Sequence, residues 1–312
     1  MQKTDLIDQL YESVGETCST DPGVAHIEIH GNKVLGVHLV PGLEVDAQEN
    51  REGIEAQIQV NRGARIERPV RICFGLMPEK GVQRIILKIR AEDDSGVAVY
   101  ASCSFPNAAE ILHTMDAEIS IGKNAEYAYV ERHVHSPSGG VQVVPKSRVI
   151  LAEGARFRTD FELIKGSVGD LRIDYDAECG PRSVLEMAAR VSGRGSDRIS
   201  IDEKAHLTGE RSRAVLTTSI AVRERASADV RNTIIADAPF ARGHVDCKEI
   251  VKDQATANAV PVVRVNNPSA HVTHEAAIGS VDSKQLETLM SRGLSEDDAT
   301  DLIIEGLLAP SY

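Results

Sequence analysis

The stretch from residue 212 to residue 269 reads SRAVLTTSIAVRER (212–225), ASADVRNTIIADAPF (226–240), ARGHVDCKEIVKDQ (241–254) and ATANAVPVVRVNNP (255–268), with Ser269 opening the next line. A small residue follows a polar turn and opens a strand-like alternation at Ser212, Ala226, Ala241, Ala255 and Ser269, in steps of 14, 15, 14 and 14 along the chain. Upstream, Ala125, Ala155 and Ser183 are 30 and 28 apart, about twice that step. A short repeat that doubles in this way predicts coils of two strands each, a β-solenoid. The competing reading is a sandwich of evenly spaced strands, for which a step of about 8–12 residues is more usual.

Outward from this stretch, period-2 patterns continue from Val24 to about Val281. Ile54 to Val60 places Ile54, Ala56, Ile58 and Val60 on one face; Arg84 to Ile89 and Val260 to Val265 are further strands. Turns fall at Gly122-Lys123-Asn124, Glu153-Gly154 and Gly180-Pro181. No convincing helical pattern interrupts them, which argues against a doubly wound α/β fold. The ends differ. Thr4 to Val14 reads as a short helix with Leu6, Leu10 and Tyr11 at helical spacing, and Asp21-Pro22-Gly23 turns the chain. Ser283 starts a helix that stops at Gly293. Ser295 caps another, with Glu296, Asp297 and Asp298 where acidic groups meet the positive end of the dipole. These two helices read either as a plug for the end of the solenoid, which the pattern favours, or as a docking surface. The resulting division is residues 1–52, a helix and strands; 53–281, the β core; and 282–312, a helical module.

Composition removes several classes. The 312 residues are 42% hydrophobic and 26% charged, and 35 Lys and Arg against 47 Asp and Glu leave a net charge of −12. That opposes non-specific nucleic-acid binding and attachment to anionic lipid. No apolar run is long enough to span a membrane, and Met1 to Leu10 has no apolar segment of the kind a secretory signal needs. The five cysteines, Cys18, Cys73, Cys103, Cys179 and Cys247, include no CxxC pair, so neither a disulfide framework nor a local zinc knuckle is expected. A reducing, cytoplasmic location fits.

Two clusters can carry chemistry. Gly243-His244-Val245-Asp246-Cys247 is followed by His271-Val272-Thr273-His274-Glu275. The interval from Cys247 to Glu275 is 28, one expected coil. A thiolate, an imidazole and a carboxylate would then stack one rung apart as an iron or zinc site. The alternative is a small buried cysteine beside a turn. The second cluster is Cys103, His113, His133 and His135. His133 and His135 share one strand face, either as metal ligands or as a solvated surface. Enzyme templates are missing: Ala117 stands where a Walker A loop ending at Gly122-Lys123 needs glycine, there is no GxSxG elbow, and His274-Glu275 continues into Ala276-Ala277-Ile278 rather than a zincin motif.

The runs Arg242 to Cys247, Ala270 to Gly279, Gln285-Leu286 and Leu289 to Glu296 closely resemble the C-terminal core of the SufB/SufD family, the scaffolds of SUF iron–sulfur cluster assembly. The resemblance reaches back more weakly to about Gly53 and is greatest to the short archaeal, SufB-like form, which the segment from Cys103 through Phe105-Pro106-Asn107 to His113 also resembles. It implies a right-handed parallel β-helix with a short N-terminal helix. It implies that residues 283–308 dock a SufC-type ABC ATPase, which reverses the preference for a plug. It further implies a second SufB/SufD-type subunit, a homodimer where no paralogue exists, and an iron–sulfur cluster, [4Fe–4S] favoured, built on the dimer and passed to apo-proteins. ATP hydrolysis then belongs to the partner, and this chain is neither an enzyme nor a nucleotide binder. By the same resemblance Cys247 matches the cluster cysteine, Glu275 the acidic residue of SufB-type chains and His274 the histidine of that motif; Cys103 and His113 are carried over as further metal ligands. The N-terminal region is shorter than in larger members, and with five scattered cysteines four thiolate ligands from one chain are not expected. Two other readings are a metal-free structural partner of such a complex and a β-solenoid enzyme acting on polysaccharide.

Overall fold

A computed structural model describes residues 3–18 and 21–309. Helix α1 (Lys3–Ser13) precedes a hairpin of β1 (His26–His30) and β2 (Lys33–His38), and β3 (Leu43–Glu49) turns back antiparallel on β4 (Ile54–Val60). The chain then winds through β5 (Val70–Gly75), β6 (Lys80–Ala91), β7 (Gly96–Phe105), β8 (Glu110–Ile121), β9 (Glu126–His135), β10 (Val141–Leu151), β11 (Arg156–Lys165) and β12 (Gly169–Cys179). It continues through β13 (Val184–Gly193), β14 (Arg198–Leu207), β15 (Arg213–Val222), β16 (Ser227–Ala236), β17 (Arg242–Val251), β18 (Thr256–Val265) and β19 (His271–Gly279). From β4 onward even strands stack in one parallel sheet and odd strands in the other. This is a β-solenoid with two strands per coil. Both edges at the N-terminal end are covered by antiparallel strands, β2 and β3.

The interior is built from ladders of equivalent residues. Ile58, Ile89, Ile119, Val149, Ala177, Ala205 and Ile234 stack directly, one per even strand, all buried, and the series ends at Val263, 38% exposed. Strand alternation sends one side chain in two toward this narrow space, which explains the period-2 patterns and the absence of Trp. The small residues of the repeat are the corners: Ala125, Ala155, Ser183, Ser212 and Ala241 are fully buried, each donating its amide to the carbonyl three residues back. The corner after Ala255 is Ala270, whose amide bonds Asn267, and not the exposed Ser269. The last step is therefore one position longer than the repeat in the sequence suggests. Just ahead of the corners the backbone turns left-handed at Asp94, Asn124, Gly154, Arg182, Arg211 and Phe240, with φ between 54° and 69°.

The C-terminal helices do not plug the solenoid. Helix α2 (Ser283–Met290), capped by Asp282, has no buried residue; helix α3 (Glu296–Leu308), capped by Ser295, lies on the outer face of the odd-strand sheet. There Ile304 and Leu308 pack on Ala221, and Arg190 donates to the Leu308 carbonyl at 2.9 Å. Arg223 reaches Asp301 at 2.7 Å and Lys252 reaches Asp297 at 2.9 Å. Because the helices fold back, the last coil, β18 and β19, is open on its interior side: Val263, Val265 and Ile278 are exposed. No helix among the described residues is long and apolar enough to cross a membrane.

Candidate functional site

The odd-strand sheet carries the cysteines of the two clusters, Cys103 and Cys247, on its inward face, in two adjacent ladders. One runs Phe74, Cys103, His133, Leu163, Val191, Ile220, Glu249; the other runs Ala101, Glu131, Phe161, Ala189, Thr218, Cys247, Ala276. Cys103 and Cys247 are thus five rungs apart along the stack, about 24 Å at the usual strand spacing, separated by apolar rungs. They are two sites.

At the first, Cys103 and His133 stand on neighbouring rungs, Glu131 shares the inward face of His133, and His113 comes across from the even sheet. A donor atom from each of Cys103, His113, Glu131 and His133 lies within 4.8 Å of all the others, and all four residues are buried. Glu131 Oε1 lies 2.8 Å from His133 Nε2 and accepts from Cys103 Sγ at 3.5 Å; His133 Nδ1 lies 3.2 Å from His135 Nε2. Phe105 and Phe161 wall the group, with ring centroids 5.1 Å from His113 and 4.8 Å from His133. His133 and His135 are therefore interior groups, not a solvated strand face. Glu131 escaped the sequence reading, although its i, i+2 relation to His133 was a usable signal.

Burial pushes the His113 imidazole down to about 3, helped by His133, and lowers His135 likewise. Both are neutral, the form that binds metals. Burial and the Glu131 charge hold the Cys103 thiol well up. Burial alone would raise Glu131, but the bond and charge of His133 outweigh it and hold the carboxylate low. Three buried atoms here have no partner: His113 Nδ1, Glu131 Oε2 and His135 Nδ1. Unmade bonds cost about 1–3 kcal/mol each, a cost that a cation in their midst would offset while releasing the thiol proton.

At the second site the register departs from the expected stacking. Cys247 pairs with Ala276, and Glu275 pairs with Asp246. Cys247 is fully buried on the inward face, whereas Asp246 and Glu275 point outward. The coil is one position longer than the interval from Cys247 to Glu275, and a shift of one reverses the face. His274 stands over Val245, on the inward side but exposed because no coil follows. Asn232 Nδ2 donates to Cys247 Sγ at 3.7 Å and to Thr218 Oγ1 at 3.5 Å. Burial raises the Cys247 thiol and Glu249 adds to this, against the hydroxyl of Thr218. Burial holds Glu249 at about 7 and Glu203, on the facing sheet, at about 8. On the outer face Asp246 accepts from Lys248 at 2.6 Å, and His244 Nδ1 lies 2.8 Å from Thr273 Oγ1.

Comparison with known proteins agrees with this architecture. The family model described as "SUF system FeS cluster assembly, SufBD core domain" matches residues 78–307. This chain belongs to the SufB/SufD family. Relatives include iron–sulfur cluster assembly SufBD family proteins of Methanocaldococcus jannaschii, 33% identical over 305 residues and covering 96% of each chain, and of Pyrococcus horikoshii, 33% identical over 309 residues, covering 99% of this chain and 94% of the other. The iron–sulfur cluster assembly protein SufB of Bacillus subtilis is 25% identical over 263 residues, 81% of this chain and 55% of that one. The chain is thus an iron–sulfur cluster assembly protein of the SufB/SufD family, and its likeness to archaeal members runs nearly end to end.

Proposed function

We propose that this SufB/SufD-family chain is the scaffold on which iron and sulfide are joined into a cluster, [4Fe–4S] favoured, for transfer to apo-proteins. The observation that carries this reading is the interior group of Cys103, His113, Glu131 and His133, whose sulfur, nitrogen and oxygen donors converge within 4.8 Å, with His113 and Glu131 each leaving a buried polar atom unpartnered. Soft sulfur with imidazole suits iron. Cys247, His274 and Glu275 serve as donors at the open end. Within one chain Cys247 and Glu275 lie on opposite faces, so a cluster using both takes them from two copies. The exposed apolar side chains of the last coil, Val263, Val265 and Ile278, support association with a second copy there, as a homodimer. Residues 283–308 dock a SufC-type ATPase, supported by the exposure of α2 and of Leu302 on α3; nucleotide chemistry belongs to that partner, in the cytoplasm. The division into residues 1–52, 53–281 and 282–312 follows these roles.

Anaerobic reconstitution with ferrous iron and sulfide tests the reading. Brown wild-type protein with bound iron, and loss of colour in Cys103→Ser and Cys247→Ser, is the expected result. Variants that hold as much iron as wild type overturn it and place the site elsewhere; a colourless wild type overturns it and favours a metal-free structural partner.

A further inference from the structure

A separate group of donors lies outside the solenoid, where α1 and the segment after it cover the outer face of the first strands. Leu10 and Tyr11 of α1 bury Leu35 and Cys73, with Cys18 packed against them. Under this cover β1 presents His26 and Glu28, which alternate with the inward Ile27 and Ile29. Across the hairpin Glu28 faces Gly36, and His26 faces His38; a Cβ at Gly36 would run into Glu28 Oε2.

We propose that Cys18, His26 and Glu28 form a divalent-metal site, zinc or another first-row cation, that fastens the N-terminal segment to the first strand of the solenoid. Donor atoms of the three lie within 4.8 Å of one another. Glu28 is 0% exposed, accepts from Tyr11 Oη at 2.9 Å and lies 2.7 Å from His26 Nδ1, yet its Oε2 is a buried oxygen without a partner. A buried carboxylate so incompletely satisfied is costly unless a cation shares it. One thiol, one imidazole and one carboxylate are a donor set that zinc accepts with a fourth position left open. His38, stacked on His26 with centroids 5.3 Å apart and bonded through Nε2 to the Pro22 carbonyl at 2.9 Å, holds the His26 ring in place. The site shares no residue with the interior group, so each stands or fails by itself.

The test uses full-length protein with Cys103→Ala and Cys247→Ala, which removes the thiols of both other sites. Cobalt(II) is titrated into the metal-free protein, followed by displacement with zinc. The expected result is one equivalent of cobalt with a thiolate charge-transfer band, displaced by zinc. Cys18→Ser should abolish the band, and His26→Ala should weaken binding by at least about tenfold. Zinc should raise the melting temperature of the parent but not that of Cys18→Ser, a variant that keeps Glu28 and its bond from Tyr11. No cobalt band in the parent, or a band and affinity unchanged in both variants, overturns the proposal.

Discussion

Glu203 and His113 set opposite pH limits on the fold. Glu203 is fully buried with Oε2 unpartnered, and burial lifts it from its ordinary value of 4.5 to about 8. Between those values the native state holds a proton that the unfolded chain releases, so stability falls as pH rises through that window. His113, lowered from 6.5 to about 3, acts in the other direction: between those values the unfolded chain binds the extra proton, and stability falls as pH drops. Melting temperature followed by circular dichroism should decline on both sides of a maximum, and Glu203→Gln should flatten the alkaline limb while leaving the acidic one. At this scale the sequence exposed only part of the site. Cys103 and His133, 30 apart, stood one coil apart by the repeat, but nothing in the position of His113 said that it meets them across the stack. Cys247 and Glu275 were visible too, yet the coil length differs between β8–β10, β10–β12 and β17–β19, and a single position decides the face. The Cys18, His26 and Glu28 group depends on α1 folding over a strand, which no local pattern encodes.

Among the elements, α3 is held by a buried charge cluster. Arg190 bonds Asp160 through two nitrogens at 3.0 Å each, reaches Glu162 at 3.1 Å and caps the end of α3 at Leu308. Arg190→Ala leaves Asp160 buried and unpaired, a loss of about 3–5 kcal/mol. Denaturant unfolding should show that loss, and limited proteolysis should cut within 295–308. Leu302, 47% exposed on the same helix, should behave differently: Leu302→Glu should leave the melting temperature unchanged and abolish co-purification with a SufC-type ATPase. The helices themselves were legible, because Ser295 and the acidic first turn mark a start. Their placement was not: an amphipathic helix pattern states that one face is covered but not by what.

Across the whole molecule, the strand repeat was legible because a solenoid repeats the same corner and the same inward alternation in every coil. Ala125, Ala155, Ser183, Ser212 and Ala241 reported it, while the open last coil broke it at Ser269. That open end is the basis for the proposal that a site is shared between copies. Mixing equal amounts of Cys247→Ser and Glu275→Gln, each inactive alone, should recover up to about a quarter of the cluster content, because about half of the dimers are mixed and each keeps one of its two pairs intact; no recovery would place the donors within one chain. The most direct measurement is iron X-ray absorption on the protein loaded with ferrous iron in the absence of sulfide. A first shell of sulfur with nitrogen and oxygen, its sulfur contribution lost in Cys103→Ser and its nitrogen reduced in His133→Ala, is the expected result. An all-oxygen shell, unchanged in both variants, would contradict an interior iron site and with it the central claim.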